Sequence, residues 1–287
     1  MVRVPHTLAR SFAATVAAIV VGCGPGTPAG TRADAPDAKA PVGIVSLSPA
    51  LTHTVHALGA GDRIVGRTAW CDAPRAAVVG SLEDRDLEAI VALRPALVLR
   101  QSSAPDAALE AAMRAVGGRV IGFRALDRVR DVEQAAIELA EVLESQGVSG
   151  ARARAQAAVE GFHRATASPV ACTRPVAFLY STDPPAAFGE GTFVDDAWRA
   201  MGGRNAVTGR GYPTLTAEDI ARMSPAAVVI VGPAEAPGWL ASVAPAVARC
   251  ESAELLEPSL RMLDRIPGAL RAVDAELAEQ GAAGGVP

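Results

Sequence analysis

The chain has 287 residues, half of them hydrophobic, with 27 Lys and Arg against 31 Asp and Glu. That length and apolar content allow two modest domains with real cores, and the acidic balance argues against a nucleic-acid partner. Four cysteines without CxxC or Cys/His metal spacing exclude a zinc framework.

Arg3 and Arg10 are the only charges before a mostly apolar run, Phe12 to Val21. The run is too short for the ~20 residues that a bilayer core requires, and has the layout of a secretory signal. It ends in Val20-Val21-Gly22-Cys23, which resembles the lipobox of bacterial lipoproteins, where a small residue precedes a cysteine that takes lipid on its thiol before cleavage. Residues 1–22 are then a signal peptide and Cys23 the lipid-attached first residue; an ordinary signal with a chance cysteine is the alternative. Removing Arg3 and Arg10 leaves 25 basic residues against 31 acids, a net charge of −6. Residues 23–41 are rich in glycine and proline and are expected to form a flexible tether; the 18 after Cys23 reach ~60 Å when extended.

From Val42 onward strand and helix signals alternate. Strands are predicted at Gly43–Leu47, Ile64–Arg67, Ala96–Leu99 and Arg119–Phe123, and helices at Pro49–Leu58, Leu87–Leu93 and Pro105–Val116. This α/β alternation implies a parallel sheet over residues 42–126. Residues 127–168 carry no strand signal: one helix spans Val129–Leu143, and a second, capped by Ser149 and carrying a Glu160–Arg164 pair, runs to about Ala167. Residues 169–287 resume the alternation, with strands at Val176–Tyr180, Ala227–Val231 and Ser252–Leu256 and helices at Val194–Met201, Ala217–Met223, Trp239–Val247 and Pro267–Glu279. The expected fold is two parallel-sheet, Rossmann-like α/β lobes joined by a single long helix.

An internal repeat supports that division. DLEAIVALRPALVL (Asp86–Leu99) and TAEDIARMSPAAVV (Thr216–Val229) superpose without a gap at a shift of 130 residues. In each, a cap residue opens a helix, a carboxylate (Glu88 or Glu218) stands in its first turn, and a proline ends it before an apolar strand. The helix dipole alone accounts for an acid there, at ~0.3 to 1 kcal/mol.

The segments IVSLSPALTHTVHALGAGDRIVG, LEAIVALRPALVL, FGEGTFVDDAWRAMGG and YPTLTAEDIARMSPAAVVIVG resemble the periplasmic substrate-binding proteins of ABC importers for cobalamin, siderophores and haem. The likeness runs from about Val42 to Gln280, and implies a receptor whose lobes are joined by a rigid helix. It further implies that Glu88 and Glu218 dock onto arginines of the membrane permease. His53 departs from the family, where an acid is usual.

The ligand is expected between the lobes, at the carboxyl ends of the parallel strands. Those ends offer Ser48, Thr68 to Trp70, Arg100 to Ser102 and Arg124 from the first lobe, and Thr182, Asp183, Tyr212 and Gly232 from the second. Among eleven aromatic residues, Trp70 and Tyr212 lie in loops, suited to stacking on a large planar guest. Arg100 and Arg124 suit an anionic group or are solvated strand ends. Trp198 shares an apolar helical face with Val194, Ala197 and Met201 and belongs to the core, whereas Trp239 is a minor cleft candidate. Cys172 and Cys250 could bridge, leaving Cys71 as a buried thiol.

The resulting expectation is a monomeric, membrane-tethered lipoprotein of the periplasm or cell surface, without cofactor or catalytic residues. It passes a chelate or tetrapyrrole, ranked cobalamin, ferric siderophore, then haem, to an ABC permease. The alternatives are a secreted α/β enzyme using Asp183 or Cys71, and a free-metal receptor for zinc or manganese using His53, His56 and a cleft carboxylate.

Overall fold

A computed structural model describes residues 43–81 and 84–283. The signal segment, Cys23 and the tether lie outside them. The elements are β1 (Ile44–Ser46), α1 (Pro49–Ala57), β2 (Ile64–Arg67), β3 (Ala77–Val78), α2 (Leu87–Ala92), β4 (Leu97–Arg100), α3 (Ala107–Ala115), β5 (Arg119–Gly122), α4 (Val129–Ser145), α5 (Ala151–Thr166), β6 (Pro175–Thr182), β7 (Pro185–Ala187), α6 (Phe193–Ala200), β8 (Arg204–Asn205), α7 (Ala217–Met223), β9 (Ala227–Val231), α8 (Leu240–Val243), β10 (Val247–Cys250) and α9 (Leu260–Ala283).

They form an α/β architecture with two separate sheets. The first, in the order β3-β2-β1-β4-β5, is parallel throughout; Ile44 pairs with Ile64 on one side and Leu97 on the other. The second runs β10-β9-β6-β7. Parallel β8 shares the β7 edge by pairing with the first residues of β6, while β7 pairs antiparallel with its last. All five residues of β9 are buried, which is why this strand reads as the unbroken aliphatic run Ala-Val-Val-Ile-Val.

Helix α5 joins the halves. Near its start Arg154 donates to the carbonyls of Leu58 (2.9 Å) and Ser149 (2.8 Å), and at its end Arg271 reaches the carbonyls of Ala165 (2.5 Å) and Ser168 (3.0 Å). Two further helices share the span. The carbonyls at the end of α4, Gln146 and Gly147, accept from Arg63 of the first lobe, while Asp196 of α6 accepts from Arg128 and from the Val129 amide at its start. Helix α9 begins with the Leu260 amide on Thr54 Oγ1 (3.2 Å) and ends with Gln280 on the Val247 carbonyl (3.2 Å). One apolar core therefore continues from Leu51 and Leu58 through Leu139, Phe162 and Leu263 to Trp198. Close packing of this kind resists bending, so the lobes can hinge only by deforming it.

Several local expectations are corrected. The helix expected over 239–247 is only the one turn of α8, and the strand expected at 252–256 is a 3-10 turn, Ala253–Leu256; the real strand is β10. Its Val-Ala-Arg-Cys sequence has weak strand preference, and the open edge of β9 captures it. Helix α9 starts seven residues before Pro267, because Leu260, Met262, Leu263 and Ile266 bury an apolar stripe that outweighs the proline's lost hydrogen bond. Gly150, at φ +74°, caps α5 in place of Ser149. Glu160 and Arg164 do not pair, whereas His163 meets Glu133 of α4 at 2.8 Å. Cys71, Cys172 and Cys250 are free thiols. Cys172 precedes β6 and Cys250 ends the co-directional β10, so they stand at opposite ends of one sheet.

Candidate functional site

The carboxyl ends of the first sheet carry a firmly built loop. Beyond β2, Thr68 is buried, its amide donates to the Ser46 carbonyl (3.3 Å), and Cys71 turns back onto the Thr68 carbonyl (3.2 Å). The Cys71 thiol sits 3.1 Å from Thr68 Oγ1, and His56 Nε2 lies 3.1 Å from the Asp72 carbonyl. From this framework Trp70 projects with 81% of its surface exposed. Burying that indole against a flat surface would gain ~2 kcal/mol.

Ser48 and Arg100 are already engaged. Ser48 is buried, caps α1 by accepting from the Leu51 amide (3.4 Å), and donates to Gln101 Oε1 (2.9 Å). Arg100 and Arg85 converge on Asp106, which also caps α3 through the Leu109 amide. Arg124 is exposed and lines a hollow of about 340 Å³ with Asp131, Gln134 and Glu138.

In the second lobe, Tyr212 is 40% exposed and stands edge-on to Tyr180 (6.0 Å) and Phe188 (5.9 Å). Burial pushes its phenol above the ordinary tyrosine range, with Asp127 and Tyr180 adding to the rise, so it stays a neutral hydrogen-bond donor. Gly189 makes the arrangement possible, because a side chain there would run into the Gly209 carbonyl oxygen. Tyr212 lines a cavity of about 490 Å³ with Asp127 and Arg128 at the start of α4 and Glu190, Asp195 and Asp196 of the second lobe. The Arg128 guanidinium grips Asp196 as a fork, at 2.7 and 3.1 Å.

Thr182 donates to the Glu235 carbonyl (3.3 Å), and Asp183 is exposed at the turn between β6 and β7. Trp198 is fully buried with Val194, Ala197 and Met201, and Trp239 is half-buried against the second-lobe core. The cavity beside Tyr212 does not include Trp70. Sequence reasoning missed the Arg128–Asp196 fork and the Tyr180–Phe188 support of Tyr212, both of which depend on contacts between distant segments. Only the strand predicted to end at Tyr180 hinted at the latter.

Glu88 and Glu218 occupy corresponding, exposed positions in the first turns of α2 and α7. Asp86 and Thr216 cap those helices, and Ile90 and Ile220 anchor both without residual exposure. His53 pairs with Glu257 at 3.1 Å while His56 faces the Asp72 carbonyl, and among the described residues no cluster of three His, Cys, Asp or Glu is placed to hold a metal.

A family model for periplasmic binding proteins matches residues 44–244. No curated protein matches the chain. Among solved structures, the periplasmic heme-binding protein BhuT in complex with two hemes is 24% identical, with a TM-score of 0.63 over 83% of this chain and 98% of its own. The periplasmic heme-binding protein RhuT from Roseiflexus sp. RS-1 is 19% identical (TM-score 0.60, covering 84% and 99%). The periplasmic vitamin B12 binding protein BtuF of Vibrio cholerae is 18% identical (TM-score 0.63, covering 83% and 97%).

Proposed function

The chain belongs to the periplasmic binding protein family, and on that footing we propose that it is the substrate-binding lipoprotein of an ABC importer, capturing a tetrapyrrole or similar planar metal chelate between its lobes. The observation that carries this reading is Trp70, an indole with 81% of its surface exposed, on a loop whose backbone is pinned on either side of it by the amides of Thr68, Cys71 and Ala73. An aromatic plate on a fixed base suits a broad, flat guest, because stacking gains area without the cost of ordering the loop. The solved proteins of this fold named above bind heme or vitamin B12, which supports a corrinoid or haem over a ferric siderophore.

In this reading Trp70 stacks on the guest, the neutral Tyr212 phenol donates to its rim, and Thr182 and Asp183 border it. Ser48 and Arg100 back the site from the first lobe. Glu88 and Glu218 dock onto permease arginines, with two carboxylates on a stiff body fixing orientation better than one. Cys23 carries the lipid, so the protein works as a tethered monomer in the periplasm or at the cell surface. The role is capture and delivery without turnover.

Titration of the purified protein with cyanocobalamin, haemin and a ferric siderophore, followed by tryptophan emission, tests the ligand class. One of the first two is expected to quench the wild type, and Trp70→Ala to remove most of that quench and weaken affinity about tenfold, or ~1.4 kcal/mol. No response to any of the three overturns the ligand assignment.

A further inference from the structure

The loop that presents Trp70 is organised around one arginine side chain. Arg67, the last residue of β2, turns its Nη1 into the loop, within hydrogen-bonding distance of three carbonyls: those of Thr68 (3.0 Å), Ala69 (3.3 Å) and Cys71 (3.2 Å). Among the described residues no carboxylate lies within 4.0 Å of it, and its Nε is buried without a hydrogen-bond partner. A guanidinium at a strand end ordinarily finds an acid or solvent. Here its charge is met by carbonyl dipoles of the loop that carries the exposed indole, and the remaining contacts of that loop, Cys71 Sγ on the Ser46 carbonyl (3.6 Å) and His56 on Asp72, surround the same curl.

We infer that Arg67 is the positioning residue of this site: by gathering the carbonyls of residues 68, 69 and 71 around one cation, it holds the loop in the curl that projects Trp70. The inference rests on the reading that Trp70 meets the guest. Without the clamp, a loop bearing a free indole would sample many conformations, and binding would have to order it each time. The clamp moves that ordering into folding. The buried Nε left without a partner fits this role, since the arginine is oriented by what it holds in place and not by its own best hydrogen bonding.

The test compares Arg67→Met, which keeps the stem and deletes the donors, with Arg67→Lys, whose ammonium retains three donors, and with Trp70→Ala. Labelling of Cys71 by a thiol reagent, located by peptide mass mapping, reports whether the curl has opened; titrations with haemin and cyanocobalamin report binding. Arg67→Met is expected to label at Cys71 at least tenfold faster and to bind the responding tetrapyrrole about tenfold more weakly, with Arg67→Lys recovering most of both. A folded Arg67→Met with wild-type labelling and affinity overturns the inference. Should Arg67→Met fail to fold, Arg67→Gln, which keeps a shorter donor, decides: faster labelling at Cys71 than in wild type supports the clamp, and unchanged labelling overturns it. If Trp70→Ala leaves binding unchanged while Arg67→Met exposes Cys71, the ligand reading falls and the clamp stands. If Trp70→Ala weakens binding while a folded Arg67→Met does nothing, the clamp falls alone.

Discussion

Arg94 and Ser224, 130 positions apart in the chain, share a left-handed backbone at φ +45° and +47°. Each follows the last turn of a short helix and precedes a proline, Pro95 or Pro225, and the next residue donates to the head of the first strand of its sheet: Ala96 to the Gly43 carbonyl (2.9 Å) and Ala226 to the Pro175 carbonyl (2.7 Å). A residue before proline is pushed out of the right-handed helical region, and the left-handed turn reverses the chain from helix to strand. The repeat is therefore one of backbone conformation as well as sequence.

Both positions place a side chain where glycine would be less strained. Arg94→Gly is expected to raise stability by about 0.5 to 1 kcal/mol, the relief of left-handed strain exceeding the added freedom of the unfolded chain. In thermal melts this is a rise of roughly 1 to 4 °C, whereas Arg94→Val should lower the midpoint because a β-branched side chain tolerates this backbone least. A lower midpoint for the glycine variant than for wild type would contradict the strain argument. Ser224→Gly should gain less, since it also loses the Oγ hydrogen bond to the Ala221 carbonyl.

A second expectation concerns pH. Glu257, just before α9, lies 3.1 Å from His53 of α1. Burial pushes its carboxyl above the ordinary glutamate range, His53 opposes the rise and Asp72 adds to it. A carboxyl raised in the folded state binds its proton more tightly there than in the unfolded chain. Its contribution is complete below the ordinary carboxylate range and is lost as pH rises through the raised value. Glu257→Gln cannot lose that proton. Urea unfolding across about pH 4 to pH 7 should therefore show the variant gaining on wild type as pH increases; the opposite trend would refute the assignment.

The docking role proposed for the repeated carboxylates can be tested apart from binding. Reversing charge at both Glu88 and Glu218 to Lys should leave tetrapyrrole affinity unchanged, because both side chains are exposed in helix first turns. Uptake by cells carrying the cognate permease should fall by at least tenfold, as two ion pairs become repulsive contacts. Undiminished uptake would remove these residues from the permease interface.

The candidate site was only partly legible. Trp70 and Tyr212 stood out as aromatic residues in loops at strand ends, because turn residues and apolar runs mark those ends locally. The occupation of Ser48 and Arg100 was not readable, since their partners Gln101 and Asp106 are set by how neighbouring loops fold back. Nor was the clamp on Trp70, since hydrogen bonds to carbonyls leave no trace in side-chain identity. The helix read over 239–247 failed because β10 is held by pairing with β9 and not by preferences of its own residues.

By itself, the sequence determined the α/β alternation, the 130-residue repeat with its caps, prolines and paired carboxylates, and the placement of Trp198 in the core. These rest on periodicity, capping and burial, which act over a few residues. Only the tertiary structure decided that α4 and α9 pack alongside the linking helix α5, that Arg128 forks onto Asp196 across the seam, and which polar side chains remain free at the strand ends. Those outcomes depend on packing and hydrogen bonding between segments tens to hundreds of residues apart, where local preference carries no information about the partner.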